Sequence, residues 1–144
     1  MSFPYKRILC AVDFDDYAPA TIKEAAALAR AGDGVVILSH VVWVTPLASE
    51  GYVLGELQKS QMEDASLKLE ELGRRNLDGA KYELAVELGD PGDGILAAAK
   101  RCHADLVILS THGRRGVSHL VLGSVAERVV RLSPIPTLTV RSAV

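Results

Sequence analysis

Residues 7–13 have the sequence RILCAVD and give the clearest indication of the fold. Five apolar residues in a row separate the basic residue from Asp13. An uninterrupted apolar run of this length is typical of a strand buried on both faces, as in a parallel sheet. Downstream, apolar residues recur with the i, i+3, i+4, i+7 spacing of a helix, namely Ile22, Ala25, Ala26 and Ala29. The chain therefore opens with a strand that ends in a carboxylate, followed by a helix.

The rest of the chain repeats this alternation. Asp15 and Asp16 are candidates for the N-cap of the first helix, and Gly32 stands at its end. Asp90 and Pro91 form a second cap, with proline in the first turn. The alternating pattern of 81–88 favours an edge strand. We predict further strands at 35–42, 81–88, 104–110 and 137–141, helices at 56–76, after Asp90 and at 125–132, and a loop at 43–55.

Five strands alternating with four helices predict an α/β fold: a single open, mainly parallel sheet with helices on both faces. In such sheets small molecules bind beyond the carboxyl ends of the strands, where the strand order reverses. Hydrophobicity does not give the order. If it is 3-2-1-4-5, the reversal lies between the first and fourth strands, whose tips are Asp13 and residues 110–113. We therefore expect the functional site there.

Composition limits the kind of protein. A length of 144 residues suits one domain over 1–144, and 49% apolar with 24% charged residues is ordinary globular usage. The net charge of −2 offers no general field for nucleic acid or an acidic membrane. No apolar run approaches the ~20 residues of a membrane span. With no secretory signal and no disulfide framework, we expect a cytoplasmic protein with reduced thiols.

A glycine- and arginine-bearing segment, STHGRRGVSHLVLGS at 110–124, connects the fourth strand to the last helix. Glycines let a backbone approach a ligand closely, and the N–H groups at a helix start donate to anionic oxygens. Arg114 and Arg115 would add charge-assisted contacts or remain solvated loop charges. The segment is suited to phosphate.

These residues resemble the universal stress proteins, whose nucleotide-binding members carry Gly, two residues, Gly, nine residues, Gly, then Ser or Thr. Gly113, Gly123 and Ser124 fit that spacing, and Ser110 stands where the first glycine falls. A serine there either crowds the base or ribose or adds a hydrogen bond. The resemblance extends to residues 6–13, 39–41, 89–91, 104–108 and 136–140.

The resemblance implies the strand order 3-2-1-4-5 of adenine nucleotide alpha hydrolase-like folds. It also implies ATP, with adenine near Val41, ribose near Asp13, and Mg²⁺ or Mn²⁺ bridging the phosphates without a protein ligand. The nucleotide-binding residues it implies are Ala11, Asp13, Val41, Ser110, Gly113, Arg114, Gly116, Gly123, Ser124 and Val125.

Each site residue also has a purely structural interpretation. Ser124 and Glu127 have the spacing of a capping box, Asp13 is able to cap the following turn, and Gly123 suits a tight helix entry. The four histidines His40, His103, His112 and His119 show no metal-ligand spacing. Common hydrolase motifs are absent from the sequence, and no residue is an evident catalytic base or nucleophile.

The leading hypothesis is therefore a universal stress protein that acts as an ATP-binding sensor or signalling module, with at most slow hydrolysis. The alternative is a nucleotide-free dimeric interaction module. A nucleotide hydrolase or transferase is the least favoured. The last strand, which begins at Thr137 and ends at Arg141, is expected to pair with its copy in a homodimer.

Overall fold

The computed structural model describes residues 3–44, 52–111 and 122–141. The described elements alternate between strands and helices along the whole chain, which confirms the predicted α/β class. They are β1 Arg7–Ala11, α1 Ala18–Ala31, β2 Val35–Trp43, α2 Tyr52–Asn76, β3 Tyr82–Gly89, α3 Pro91–Arg101, β4 Leu106–Ser110, α4 Ser124–Leu132 and β5 Thr137–Val140.

The sheet has the order β3-β2-β1-β4-β5 and every strand pair is parallel. The predicted order is confirmed, so the chain reverses direction across the sheet between β1 and β4. In the register, Ala11 of β1 lies opposite Ser39 on one side and Leu109 on the other. The carboxyl ends of the three central strands therefore lie side by side.

Two hydrophobic layers cover the sheet, and consecutive strand residues enter opposite layers because side chains alternate along a strand. Ile8 and Leu38 pack with Ile22 and Leu69, on the side of α1 and α2. Leu9, Ile37 and Val107 pack with Ile95 and Val129, on the side of α3 and α4. Burial on both faces explains why β1 and β4 are continuous apolar runs. β3 lies at an edge, as its mixed pattern predicted.

The predicted start of α2 is wrong by four residues, because the helix begins at Tyr52 rather than Glu56. Residues 52–55, predicted as loop, are helical, while 45–51 lie outside the described part. Gly55 weakens a helix by only about 1 kcal/mol, which the long helix that follows it offsets. Across the described residues, no helix is long and apolar enough to cross a bilayer.

The start of α1 also differs from the prediction. Its N-cap is Tyr17, not Asp15 or Asp16. The Asp15 carboxylate instead accepts a hydrogen bond from Tyr17 N–H at 3.0 Å, one turn before the helix. Pro19 stands in the first helical turn, where proline is favoured because its missing N–H is not needed. The predicted end at Gly32 is confirmed.

Candidate functional site

A cavity of about 270 Å³ opens at the carboxyl ends of β1, β2 and β4. The N-terminal ends of α3 and α4 close its other side. Seven of the predicted residues line it together: Ala11, Asp13, Val41, Ser110, Gly123, Ser124 and Val125. Gly113, Arg114 and Gly116 lie outside the described residues, as do Arg115, His112 and His119. The cavity is therefore where the topological reversal predicted a site.

The inner part of the cavity is apolar. Ala11, Val41 and Ala126 are buried and line it, with Ile95 and Leu109 beside them. Its volume lies just below the ~300–1,000 Å³ typical of small-molecule pockets, which are lined mainly by hydrophobic groups. This space suits the flat ring of a ligand rather than its charged part.

Close packing of α3 on β2 fixes one wall of the cavity. Gly94 of α3 faces Val41 so closely that an added Cβ would lie 2.7 Å from both Val41 methyl groups. A side chain at Gly94 would therefore push Val41 toward the cavity or α3 away from the sheet.

Two carboxylates stand at the rim. Asp13 is exposed and lies two residues beyond the end of β1, while Asp15 is half-buried. Burial raises the pKa of Asp15, the nearby charge of Asp13 adds to that rise, and the hydrogen bond from Tyr17 N–H opposes it. Ionised carboxylates accept hydrogen bonds from hydroxyl groups, as acidic residues do at the ribose of dinucleotide sites.

The two helix ends at the cavity differ in charge. The start of α3 is already capped, because Asp90 Oδ2 accepts from Asp93 N–H at 3.1 Å and Asp93 adds a second carboxylate there. The start of α4 has Gly123 as N-cap and, within the described residues, no side-chain cap, and its first turn has one carboxylate, Glu127, which pairs with Arg131. An anion is therefore favoured at α4 rather than at α3.

The predicted capping box does not form, since Ser124 is the first helical residue and not the N-cap. Glu127 is then one position too far along, and its Oε1 accepts from Arg131 Nε at 2.8 Å instead. The first intrahelical bond runs from Glu127 N–H to Gly123 O. The N–H groups of residues 124–126 precede it and have no helical carbonyl to bind. Gly123 has a φ of −60°, which any residue adopts.

The contacts that support Asp13 are not apparent from the sequence. His40 is buried, and its Nδ1–H donates to Val12 O over 2.8 Å. The Phe14 ring lies 4.2 Å from the His40 ring, between centroids, and Phe14 has a φ of 56°, uncommon for a residue with a side chain. These contacts hold the turn that presents Asp13. A histidine near the end of a buried strand was the available signal.

Ser39 is a second missed residue of the cavity wall. A metal site made by side chains has no support in the described ranges, which contain no group of three His, Cys, Asp or Glu residues able to hold an ion.

Comparison with known proteins agrees with this architecture. Universal stress protein MJ0531 of Methanocaldococcus jannaschii is 32% identical over 142 residues, covering 95% of this chain and 82% of its own length. The solved structure of MJ0577, from the same organism, superposes with a TM-score of 0.84 at 30% identity, covering 97% of this chain and 98% of that one.

A third similar structure is the universal stress protein from Archaeoglobus fulgidus in complex with dAMP. Its TM-score is 0.62 at 21% identity, covering 95% of this chain and 98% of that one, which is a likeness of fold. Residues 4–141 match the sequence profile of the Universal stress protein family. With nearly the whole chain matched and the fold shared, the protein belongs to the universal stress protein family.

Proposed function

We propose that this protein binds an adenine nucleotide, with ATP as its main ligand. It would act as a nucleotide-dependent sensor or signalling module with at most slow hydrolysis. The observation that carries the proposal is the start of α4, which has no side-chain cap from the described residues and opens into the same cavity as an apolar floor and the Asp13 carboxylate. Anion-binding N–H groups, an apolar slot and a hydroxyl-binding carboxylate are the three features that a nucleotide needs.

In the proposed pose, adenine lies against Val41 and Ala11, and the ribose hydroxyls bind Asp13. The phosphates lie at Gly123, Ser124 and Val125, where the N–H groups of α4 point. Mg²⁺ or Mn²⁺ would be held by phosphate oxygens and would offset their charge. Gly113, Arg114 and Gly116 would complete the phosphate site from the segment beyond β4. A cytoplasmic location belongs to the same proposal.

Ser110 bears on the proposal because it replaces the first glycine of the family pattern. It lines the cavity at the end of β4 and is partly exposed there. A small side chain at the rim leaves the apolar floor open, which supports binding. The structure of the related protein in complex with dAMP supports an adenine nucleotide as the ligand class.

The test begins with mass spectrometry of any nucleotide released from the purified protein, followed by calorimetric titration of stripped protein with ATP and Mg²⁺. We expect saturable ATP binding that Asp13→Asn weakens, because a neutral amide accepts hydroxyl hydrogen bonds less strongly. Asp16→Asn is the matched control, since Asp16 is exposed and lies outside the cavity lining. Absence of saturable binding would overturn the proposal. Steady accumulation of ADP would favour the hydrolase instead.

The second candidate, a nucleotide-free dimeric interaction module, is favoured by the outer edge of β5, with which no described strand pairs. β5 is the last strand of the sheet, and Leu138 is 39% exposed on it. Val107 N–H donates to Pro136 O, and Thr111 N–H donates to Val140 O. Even-numbered residues of β5 therefore face β4, and by alternation Thr137 and Thr139 direct their backbone groups to the open edge. A second copy would pair there, giving a two-fold dimer.

Thr139→Pro tests this dimer, because proline removes an N–H on the open edge without breaking the ladder to β4. Thr139→Ala keeps the N–H and is the control. We expect sedimentation to show a dimer for the wild type and Thr139→Ala, and a folded monomer for Thr139→Pro. A wild type that stays monomeric at all concentrations would rule out this dimer.

A further inference from the structure

One polar group in the floor of the cavity, the Ser39 hydroxyl, has no hydrogen-bond partner in the part of the chain that the structure describes. Ser39 is completely buried in the middle of β2, and its Oγ makes no hydrogen bond with any of the described residues. It is the one buried side-chain oxygen or nitrogen in residues 3–44, 52–111 and 122–141 with this property. A buried hydroxyl without a hydrogen bond lowers the stability of the folded state.

The residues beside Ser39 in the sheet are small. Its neighbours in the sheet register are two alanines, Ala11 on β1 and Ala85 on β3. Their short side chains flank the hydroxyl on the face of the sheet that α3 covers. Ser39 lines the cavity, whereas its backbone carbonyl already accepts from Val12 N–H at 2.9 Å. The hydroxyl is therefore the group of Ser39 that a ligand in the cavity would hydrogen-bond.

We propose that the Ser39 hydroxyl binds the polar edge of the adenine base and so contributes to recognition of the base. This rests on the proposed function. Ser39 and Val41 are two residues apart and share one face of β2, so Ser39 lies deeper than Val41, away from Asp13 at the rim. The surrounding Ile95 and Ala11 side chains are apolar. A flat ring with polar atoms along one edge fits such a slot, because a hydroxyl both donates and accepts.

Ser39→Ala tests the proposal, with Ser133→Ala as a matched control. The Ser133 hydroxyl lies outside the cavity lining, donates to Ile135 O at 2.8 Å and accepts from Ile135 N–H. The same chemical change thus removes a satisfied hydroxyl in one variant and an unsatisfied one in the other. Calorimetry would measure the affinity of stripped protein for ATP with Mg²⁺, and thermal denaturation the stability without ligand.

We expect Ser39→Ala to bind ATP about tenfold more weakly, which is the size of one lost hydrogen bond. Without ligand it should melt at the same temperature as the wild type or higher. Ser133→Ala should melt lower and bind ATP normally. Equal ATP affinity of the wild type and Ser39→Ala would overturn the Ser39 proposal and leave the proposed function standing, whereas no binding by the wild type would overturn both.

Deaza analogues of ATP locate the contact. We expect one of the 1-, 3- or 7-deaza compounds, or the purine analogue that lacks the 6-amino group, to bind the wild type about tenfold more weakly than ATP does. Ser39→Ala should show no further loss with that compound, because the same bond is already missing. Equal losses in both proteins for every analogue would place the hydroxyl away from the base and overturn the proposal.

Discussion

Replacing Gly94 with alanine should destabilise the protein, because the new Cβ would lie 2.7 Å from both methyl groups of Val41. Val41 is a buried residue of β2 and cannot move aside freely. Overpacking of this kind costs about 1–3 kcal/mol. Alanine in place of a helical glycine recovers roughly 0.5–1 kcal/mol of that cost. From the middle of both ranges, the free energy of unfolding should fall by about 1 kcal/mol.

Gly92 provides the matched control, because it lies in the same turn of α3 and is also buried. A Cβ at Gly92 would meet the Arg128 side chain, with its Cδ at 2.8 Å. That chain is flexible and partly exposed, and the ion pair of Arg128 with Asp93 is a surface pair worth at most about 1 kcal/mol. Gly92→Ala should therefore unfold near the wild-type denaturant concentration.

Urea denaturation followed by circular dichroism measures both variants. In thermal denaturation, the melting temperature of Gly94→Ala should fall by about 2–4 °C, given roughly 2–4 °C per kcal/mol at this chain length. Because Val41 forms a wall of the proposed adenine site, ATP affinity should fall in Gly94→Ala and not in Gly92→Ala. Equal stability of the two variants would refute the inference that α3 packs on β2 at van der Waals contact here.

The remaining predictions concern the buried thiol of Cys10 and the amino end of the sheet, opposite the cavity. Burial raises the pKa of Cys10 to about 12 from an ordinary 9.0. At pH 8 a thiol reagent should therefore modify only the partly exposed Cys102 in the native protein. After unfolding, it should modify both cysteines. Above pH 9 the unfolded state loses the Cys10 proton, whereas the folded state keeps it. The free energy of unfolding of the wild type should therefore approach that of Cys10→Ala between about pH 9 and 12. A constant difference between the two proteins in urea denaturation would contradict this. The Asp105 carboxylate accepts hydrogen bonds from Lys6 N–H at 2.8 Å and from Arg7 N–H at 3.0 Å. In urea denaturation, Asp105→Ala should therefore lower the free energy of unfolding by about 1–3 kcal/mol. Asp16→Ala is the control and should not change it, because Asp16 is exposed.

Local patterns predicted the elements and their class well. The apolar run of β1 and the helical spacing that ends at Gly32 require only short-range alternation of side chains, which the sequence displays directly. The sequence patterns for helix N-caps gave wrong predictions where two neighbouring residues were both able to take the cap position. Asp15 binds the turn before α1 instead of capping the helix. Ser124 enters α4 as its first residue because Gly123, tied to Thr111 O at 3.0 Å, takes the cap position.

Five strands, four helices and the carboxyl-end tips at Asp13 and Ser110 follow from the amino-acid sequence, because burial periodicity and cap chemistry are local properties. Two features came only from the folded structure. The helix α4 begins beside that apolar floor with no side-chain cap from the described residues, and the Ser39 hydroxyl is buried there with no hydrogen-bond partner among them. Whether a polar group has a partner depends on elements distant in the chain. Strand register and helix packing set the distances between such groups. The periodicity of one segment gives no information about these distances.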